Sequence, residues 1–304
     1  MRHHLKNLML PISMVGGALF YQWMGYLTPL SPYLILMMLT ITYCKLDFRT
    51  LHIGRFDWEM LALQMGIAAA VYGAIYFINP TLAAGIFICV YIPTATAAPV
   101  ITGMLGGSIP KVATYSLLCN LFVAVTGPAV LAAVGEHPEI TFMESFLIIC
   151  KRVFPLLIIP IVLALLLGQC APKWHRALAR HQSLSFYIWA VSLFIVVGSS
   201  VSFVINNFSA DKASLMAWLA IGALAVCLIQ FRLGRKLGGK FNDKVSGGQG
   251  LGQKNTVLAV WLALTYLDPV ASVAPAAYVA WQNIINSWQL MKHERNRHPE
   301  TRKI

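Results

Sequence analysis

The chain has 304 residues, 58% hydrophobic and 11% charged, with a formal net charge of +12 and a mean hydropathy of +0.68. Soluble domains carry about a quarter charged residues, so this composition excludes an ordinary soluble domain and points to one membrane-embedded bundle. The basic balance does not imply nucleic acid, because the cations flank apolar runs and form no soluble basic face.

Met1 to Asn7, with Arg2 and Lys6 ahead of an apolar run, imitates a secretory signal. No small-residue cleavage site follows it, so an uncleaved first helix is expected. Apolar runs of crossing length are expected near Leu8 to Leu27, Ser31 to Cys44, Trp58 to Asn79, Leu82 to Leu105 and Ile109 to Gly135. A second set follows near Val153 to Cys170, Leu184 to Asn206, Ala213 to Phe231, Gly248 to Leu267 and Ala271 to Met291. The predicted fold class is an all-α membrane protein of about ten transmembrane helices in two five-helix repeats, about 8–135 and 144–291. A cytoplasmic tail covers 292–304.

With the first residues inside, 19 of the 23 Lys and Arg fall in cytoplasmic segments, while Lys151, Arg152 and Lys212 stay outside and Lys254 falls within a span. The positive-inside rule then places both termini in the cytoplasm, with the bacterial inner membrane as the expected location. The six cysteines, Cys44, Cys89, Cys119, Cys150, Cys170 and Cys227, have no CxxC spacing or His partners and are expected to be packing residues.

The fourth span of each half is unusual. The first contains Pro93-Thr94-Ala95-Thr96-Ala97-Ala98-Pro99, and proline removes a helical N–H and clashes with the preceding turn. The second opens with Gly247-Gly248-Gln249-Gly250-Leu251-Gly252-Gln253-Lys254-Asn255. Neither stretch is expected to run as an unbroken lipid-facing helix, since freed backbone must be buried in protein or line a polar cavity. Interrupted spans at matching places in two halves point to a transporter's binding site, whereas the bland alternative is a pair of packing kinks. An odd number of spans per half requires the repeats to be inverted in the membrane.

At these residues the chain resembles the bile acid:sodium symporter family. The resemblance rests on Pro93 to Thr102, Thr126-Gly127-Pro128, Gly250 to Asn255, and Asp268-Pro269 through Pro275, Tyr278, Trp281, Asn283 and Ser287. It implies ten helices in two inverted repeats with the fourth and ninth broken and crossing. In that fold a core of spans three to five and eight to ten moves against a panel of spans one, two, six and seven. The family's sodium ligands carry over unevenly. Ala98 and Pro99 stand where the pattern has Ser and Asn, Gln249 stands where it has Glu, and Lys254 stands where Asn is common. Gln253, Gln64, Ser116 and Asn120 keep polar side chains at matching places.

The residues alone give the same direction. All eleven acidic residues fall in loops, tails or span ends on this map, so no carboxylate is expected deep in the bundle. Hard cations take oxygen ligands, with an anionic group to offset desolvation, so sodium is not favoured; no cofactor is expected, and proton coupling stays open. Lys254 is an intramembrane ionisable group and a functional candidate by default. It either carries a proton or stays charged and pairs with an anionic substrate, unless its helix begins late enough for the side chain to snorkel. Thr94 and Thr96 either satisfy carbonyls freed by the prolines or touch substrate, and Gln64 and Asn120 either contact substrate or glue helices together. With Pro99, Ser116, Gln249, Gln253 and Asn255 these complete the candidate substrate and coupling site. The eight histidines fall in loops or tails, with no metal ligands among them, and Trp23, Tyr26, Trp58, Tyr266 and Trp288 suit an interfacial belt.

No Asp-rich pair, His-Glu motif or nucleophile with a base suggests an enzyme. The expected function is secondary transport of a small organic solute by alternating access. The partners expected are a small-molecule substrate and membrane lipid, and the positive crossing favours an organic anion. The competing readings are a sodium-dependent symporter of the bile acid type, a channel, and a transport-dead sensor or scaffold.

Overall fold

The computed structural model describes residues 12–44, 52–95, 97–135, 141–180, 182–206 and 210–297. These are helical almost throughout, and the only β-type pairing among them is one isolated antiparallel bridge. In chain order the helices are α1 (12–19), α2 (Tyr21–Leu27), α3 (Ser31–Cys44), α4 (Arg55–Tyr76), α5 (Pro80–Tyr91), α6 (Ala98–Met104) and α7 (Ile109–Val134). They continue as α8 (Phe142–Cys170), α9 (Pro172–Arg180), α10 (Gln182–Asn206), α11 (Ala210–Lys240), α12 (Lys244–Gly252), α13 (Thr256–Tyr266) and α14 (Val273–Arg297). Among the described residues, four helical runs are long and apolar enough to cross a bilayer: Tyr21–Cys44, Arg55–Tyr76, Ile109–Val134 and Lys212–Lys240. The chain is an all-α membrane protein.

Helix starts follow from capping chemistry legible in the sequence. Asn79, Ser108, Thr141, Asp243 and Asn255 each accept a backbone N–H with the side chain at an N-terminus, and Pro80 and Pro110 occupy first-turn positions where no N–H is missed. The boundary expected between the first two spans is different. Thr28–Leu30 is a 3-10 turn that joins α2 to α3 without a loop, and the Thr28 hydroxyl donates to the Met24 carbonyl at 2.8 Å. Pro29 falls in the first turn, where its missing N–H costs little, so the helical run continues. Three other boundaries also move. The sixth run starts at Phe142 and the eighth continues to Lys240, while Lys173 to Arg180, between the sixth and seventh expected runs, forms the amphipathic helix α9.

The broken segments occupy the centre. Ile88, Val90, Ile92, Leu258, Val260 and Leu262 are fully buried, which places α5 and α13 inside the packed core. Contacts also fix which helix ends lie together. The Ser108 N–H donates to Asp243 Oδ2 at 3.2 Å and to Ser246 Oγ at 2.8 Å, and Lys111 Nζ donates to the Phe241 carbonyl at 3.4 Å. The rings of Phe56 and Phe241 meet edge to face at 5.4 Å. The starts of α4, α7 and α12 and the end of α11 therefore share one end of the bundle, which carries Arg55, Lys111, Arg232, Arg235, Lys236, Lys240 and Lys244. At the opposite end the Thr81 hydroxyl donates to Asp268 Oδ2 at 3.1 Å, beside the exposed Phe77 and Ile78.

The glycine-rich stretch is interrupted and buried, as expected, but the break comes only at its end. Residues 244–252 are helical, and the break falls later, at Gln253–Asn255. The glycines serve close packing: a β-carbon on Gly247 would stand 2.2 Å from the Gly234 carbonyl, and one on Gly238 would stand 2.3 Å from the Asp243 carbonyl. Only residues without a β-carbon let α11 and α12 approach this closely.

Candidate functional site

The chain leaves helix twice in the core, and each break completes the other. α5 stops ahead of Pro93, which cannot donate a helical N–H, and α12 stops at Gly252. The extended residues between pair antiparallel, with Thr94 opposite Lys254. The Ala95 N–H donates to the Gln253 carbonyl at 3.0 Å, and the Asn255 N–H donates to the Pro93 carbonyl at 2.9 Å. Backbone that could not face lipid is thus satisfied across the crossing.

Side chains take up the remaining carbonyls. Gln64 Nε2 donates to the carbonyls of Tyr91 and Ile92 at 3.0 and 3.1 Å, and Tyr115 OH donates to Gln64 Oε1 at 2.5 Å. Around the second break, Thr94 Oγ1 donates to the Gly250 carbonyl at 2.7 Å and Tyr278 OH to the Gly252 carbonyl at 2.8 Å. Gln230 Nε2 donates to Tyr278 OH at 2.9 Å and reaches the Cys89 carbonyl at 3.4 Å. Ser116 Oγ approaches the Thr94 carbonyl at 3.5 Å, and Gln282 Oε1 accepts the Lys254 N–H at 3.0 Å. The structural alternative for Thr94 and Gln64 is therefore realised: both bond to freed backbone carbonyls.

Lys254 is 1% exposed and its Nζ makes no hydrogen bond. Its helix starts just after Asp243, eleven residues before it, so snorkelling does not occur. The described carboxylates stand elsewhere. Asp57 stands at a span end as expected and, although buried, caps the start of α4 by accepting the Gly54 N–H at 2.9 Å. Asp243 and Asp268 cap helix starts at opposite ends of the bundle. The one ion pair among the described residues is the exposed Arg55–Glu59.

The other expected residues divide. Gln253 Nε2 donates to Gln249 Oε1, and Gln249 Nε2 donates to Gln289 Oε1 at 2.9 Å, a buried amide chain ending at the crossing. Asn255 Oδ1 caps α13 through the Leu258 N–H at 3.3 Å, leaving its Nδ2 without a partner. Asn120 Nδ2 donates to the Ser116 carbonyl at 2.7 Å, leaving its Oδ1 without a partner. Pro99 is half-buried in the first turn of α6, and Thr96 lies outside the described residues. Tyr266 is buried against Trp261, not interfacial, whereas Trp23, Tyr26, Trp58 and Trp288 are exposed.

Sequence reasoning missed Gln230, Gln282, Asn286 and Gln289. Tyr278, Gln282, Asn286 and Gln289 follow helical spacing along one face of α14, and all are buried, so a polar stripe in an apolar span was the available signal. Gln230 sits one residue from the expected end of its run and reads as a boundary residue. No family model matches the chain, and comparison with curated proteins gives no match.

Proposed function

We propose that the chain is a secondary transporter of a small organic anion, built as two inverted five-helix repeats and working by alternating access. The observation that carries this reading is Lys254: a buried ammonium without an acceptor, held where two broken helices cross. An uncompensated buried charge is costly and persists where a counter-charge arrives in the working cycle. A small anion supplies that counter-charge, and the nearby start of α13 adds the positive end of a helix dipole.

The repeat reading is supported by matching side-chain devices. Tyr115 and Asn120 on α7 are spaced as Tyr278 and Asn283 are on α14. Each Tyr works with a buried Gln, Gln64 or Gln230, beside a break. Asn120 Nδ2 bonds the Ser116 carbonyl at 2.7 Å, and Asn283 Nδ2 bonds the Val279 carbonyl at 2.8 Å. The gathering of cations at one end of the bundle supports placing that end in the cytoplasm. We read the chain as a divergent relative of the bile acid:sodium symporters in which Lys254 supplies the positive charge at the crossing, so that transport does not require sodium.

The test is a thermal-stability screen of purified protein against a library of organic anions, followed by counterflow of the best stabiliser in proteoliposomes. Stabilisation and exchange in wild type, both lost in Lys254→Ala, support the proposal. Equal stabilisation of Lys254→Ala removes its basis. Current at channel rates in single-channel recordings replaces the carrier with a channel.

A further inference from the structure

The cationic end of α11 carries a feature that the crossing site does not use. Ile229, Arg232, Leu233, Arg235 and Lys236 line a groove of about 650 Å³ on its outer face. Arg232, Arg235 and Lys236 lie within little more than one helical turn, all are exposed, and none makes a hydrogen bond or ion pair among the described residues. The carboxylate nearest in sequence, Asp243, is occupied: it accepts the Ser246 N–H at 2.9 Å, the Ser246 hydroxyl at 2.6 Å and the Ser108 N–H at 3.2 Å. Three like charges at this spacing repel one another unless an anion joins them. One turn toward the middle of the helix, the exposed Leu228 and Ile229 continue the same surface as bare hydrocarbon.

We propose that this groove binds one anionic phospholipid. The phosphate sits among Arg232, Arg235 and Lys236, and the upper acyl chains lie along Ile229 and Leu233. The joint presence of cations and apolar wall at the end of a membrane-length helix selects a lipid over a soluble phosphate, which would leave the wall unused. Arg235 links the groove to the core. A β-carbon on Gly248 would stand 2.5 Å from Arg235 Cγ, so the arginine stem lies directly on the backbone of α12. A lipid that holds the Arg235 guanidinium therefore clamps α11 on α12, the helix that leads to Gln253 and Lys254.

Native mass spectrometry of the delipidated full chain tests this, with dioleoyl phosphatidylglycerol and dioleoyl phosphatidylcholine as probes. Wild type should retain phosphatidylglycerol over phosphatidylcholine and melt at higher temperature in its presence. R232Q/R235Q/K236Q should retain it on the order of a hundred-fold more weakly and lose the thermal shift. K173Q/R176Q/R180Q on α9 removes as many cations elsewhere on the bundle and should behave as wild type, with unchanged helical circular dichroism in both variants. The proposal is overturned if R232Q/R235Q/K236Q retains phosphatidylglycerol like wild type, or if the α9 variant loses as much. Equal retention of phosphatidylcholine, or displacement of the lipid by millimolar inorganic phosphate, overturns it as well. None of these readouts depends on transport, so a protein that carries no solute can still pass, and a transporter can still fail.

Discussion

Tyr278 OH donates at 2.8 Å to the carbonyl of Gly252, the last helical residue before the second break. Tyr115 OH is bonded to Gln64 Oε1 beside the first break, so each crossing strand is held by a buried tyrosine on a long helix. Tyr278→Phe leaves one buried carbonyl unsatisfied and is expected to destabilise by about 1–3 kcal/mol. Chemical denaturation in detergent measures this, and no change would mean that Gln230 rotates to replace the hydroxyl.

Lys254 invites a prediction with opposite signs for stability and activity. Its ammonium is buried without an acceptor, so Lys254→Met should raise the thermal midpoint of the ligand-free protein while abolishing transport. A fall in the midpoint would mean that the ammonium is paired inside the fold.

Coupling separates two roles for the same residue. Uptake into proteoliposomes should be unchanged when an inward sodium gradient is replaced by potassium. If Lys254 carries the proton, Lys254→Gln should lose accumulation driven by a proton gradient and keep substrate exchange. If it stays charged through the cycle, wild-type transport should ignore the proton gradient. Tight sodium binding to wild type, with sodium-dependent uptake, would show that carbonyls and amides suffice for a cation site.

Glycines sort by what surrounds them. Gly247→Ala should prevent the α11–α12 approach, because its β-carbon would stand 2.2 Å from a backbone oxygen, and folded yield in detergent should collapse. A β-carbon on Gly66 or Gly73 within α4 would meet nothing within 4 Å, so alanine there should be neutral or stabilising by up to about 1 kcal/mol.

Much of the site was legible because proline and polar residues in an apolar run have few possible meanings. Pro93 set the first break, and Lys254 stood out as the one cation expected within a span. The glycines from Gly247 to Gly252 misled, since glycine marks both flexible backbone and tight helix contacts, and a single strand of sequence does not reveal Gly234 and Gly238 opposite. Gln230 was not legible because its partners, Tyr278 and Cys89, come from distant elements; Gln282 was legible only as part of the polar stripe on α14, and its bond to the Lys254 N–H was not. The break at 28–30 was overread because Pro29 in a first turn and Pro29 in a loop look alike in sequence.

The crossing also sets an order of events during synthesis. Thr94 and the carbonyl it bonds at Gly250 are 156 residues apart, so the first break emerges long before its backbone partners exist. Until residues 253–255 arrive, the freed groups of residues 92–95 must stay hydrated or borrow temporary partners from the insertion machinery. A ribosome stalled midway along the chain therefore holds a half-protein that cannot close its own interior. Truncation after the first half should yield a species marked for degradation, rather than a smaller working unit.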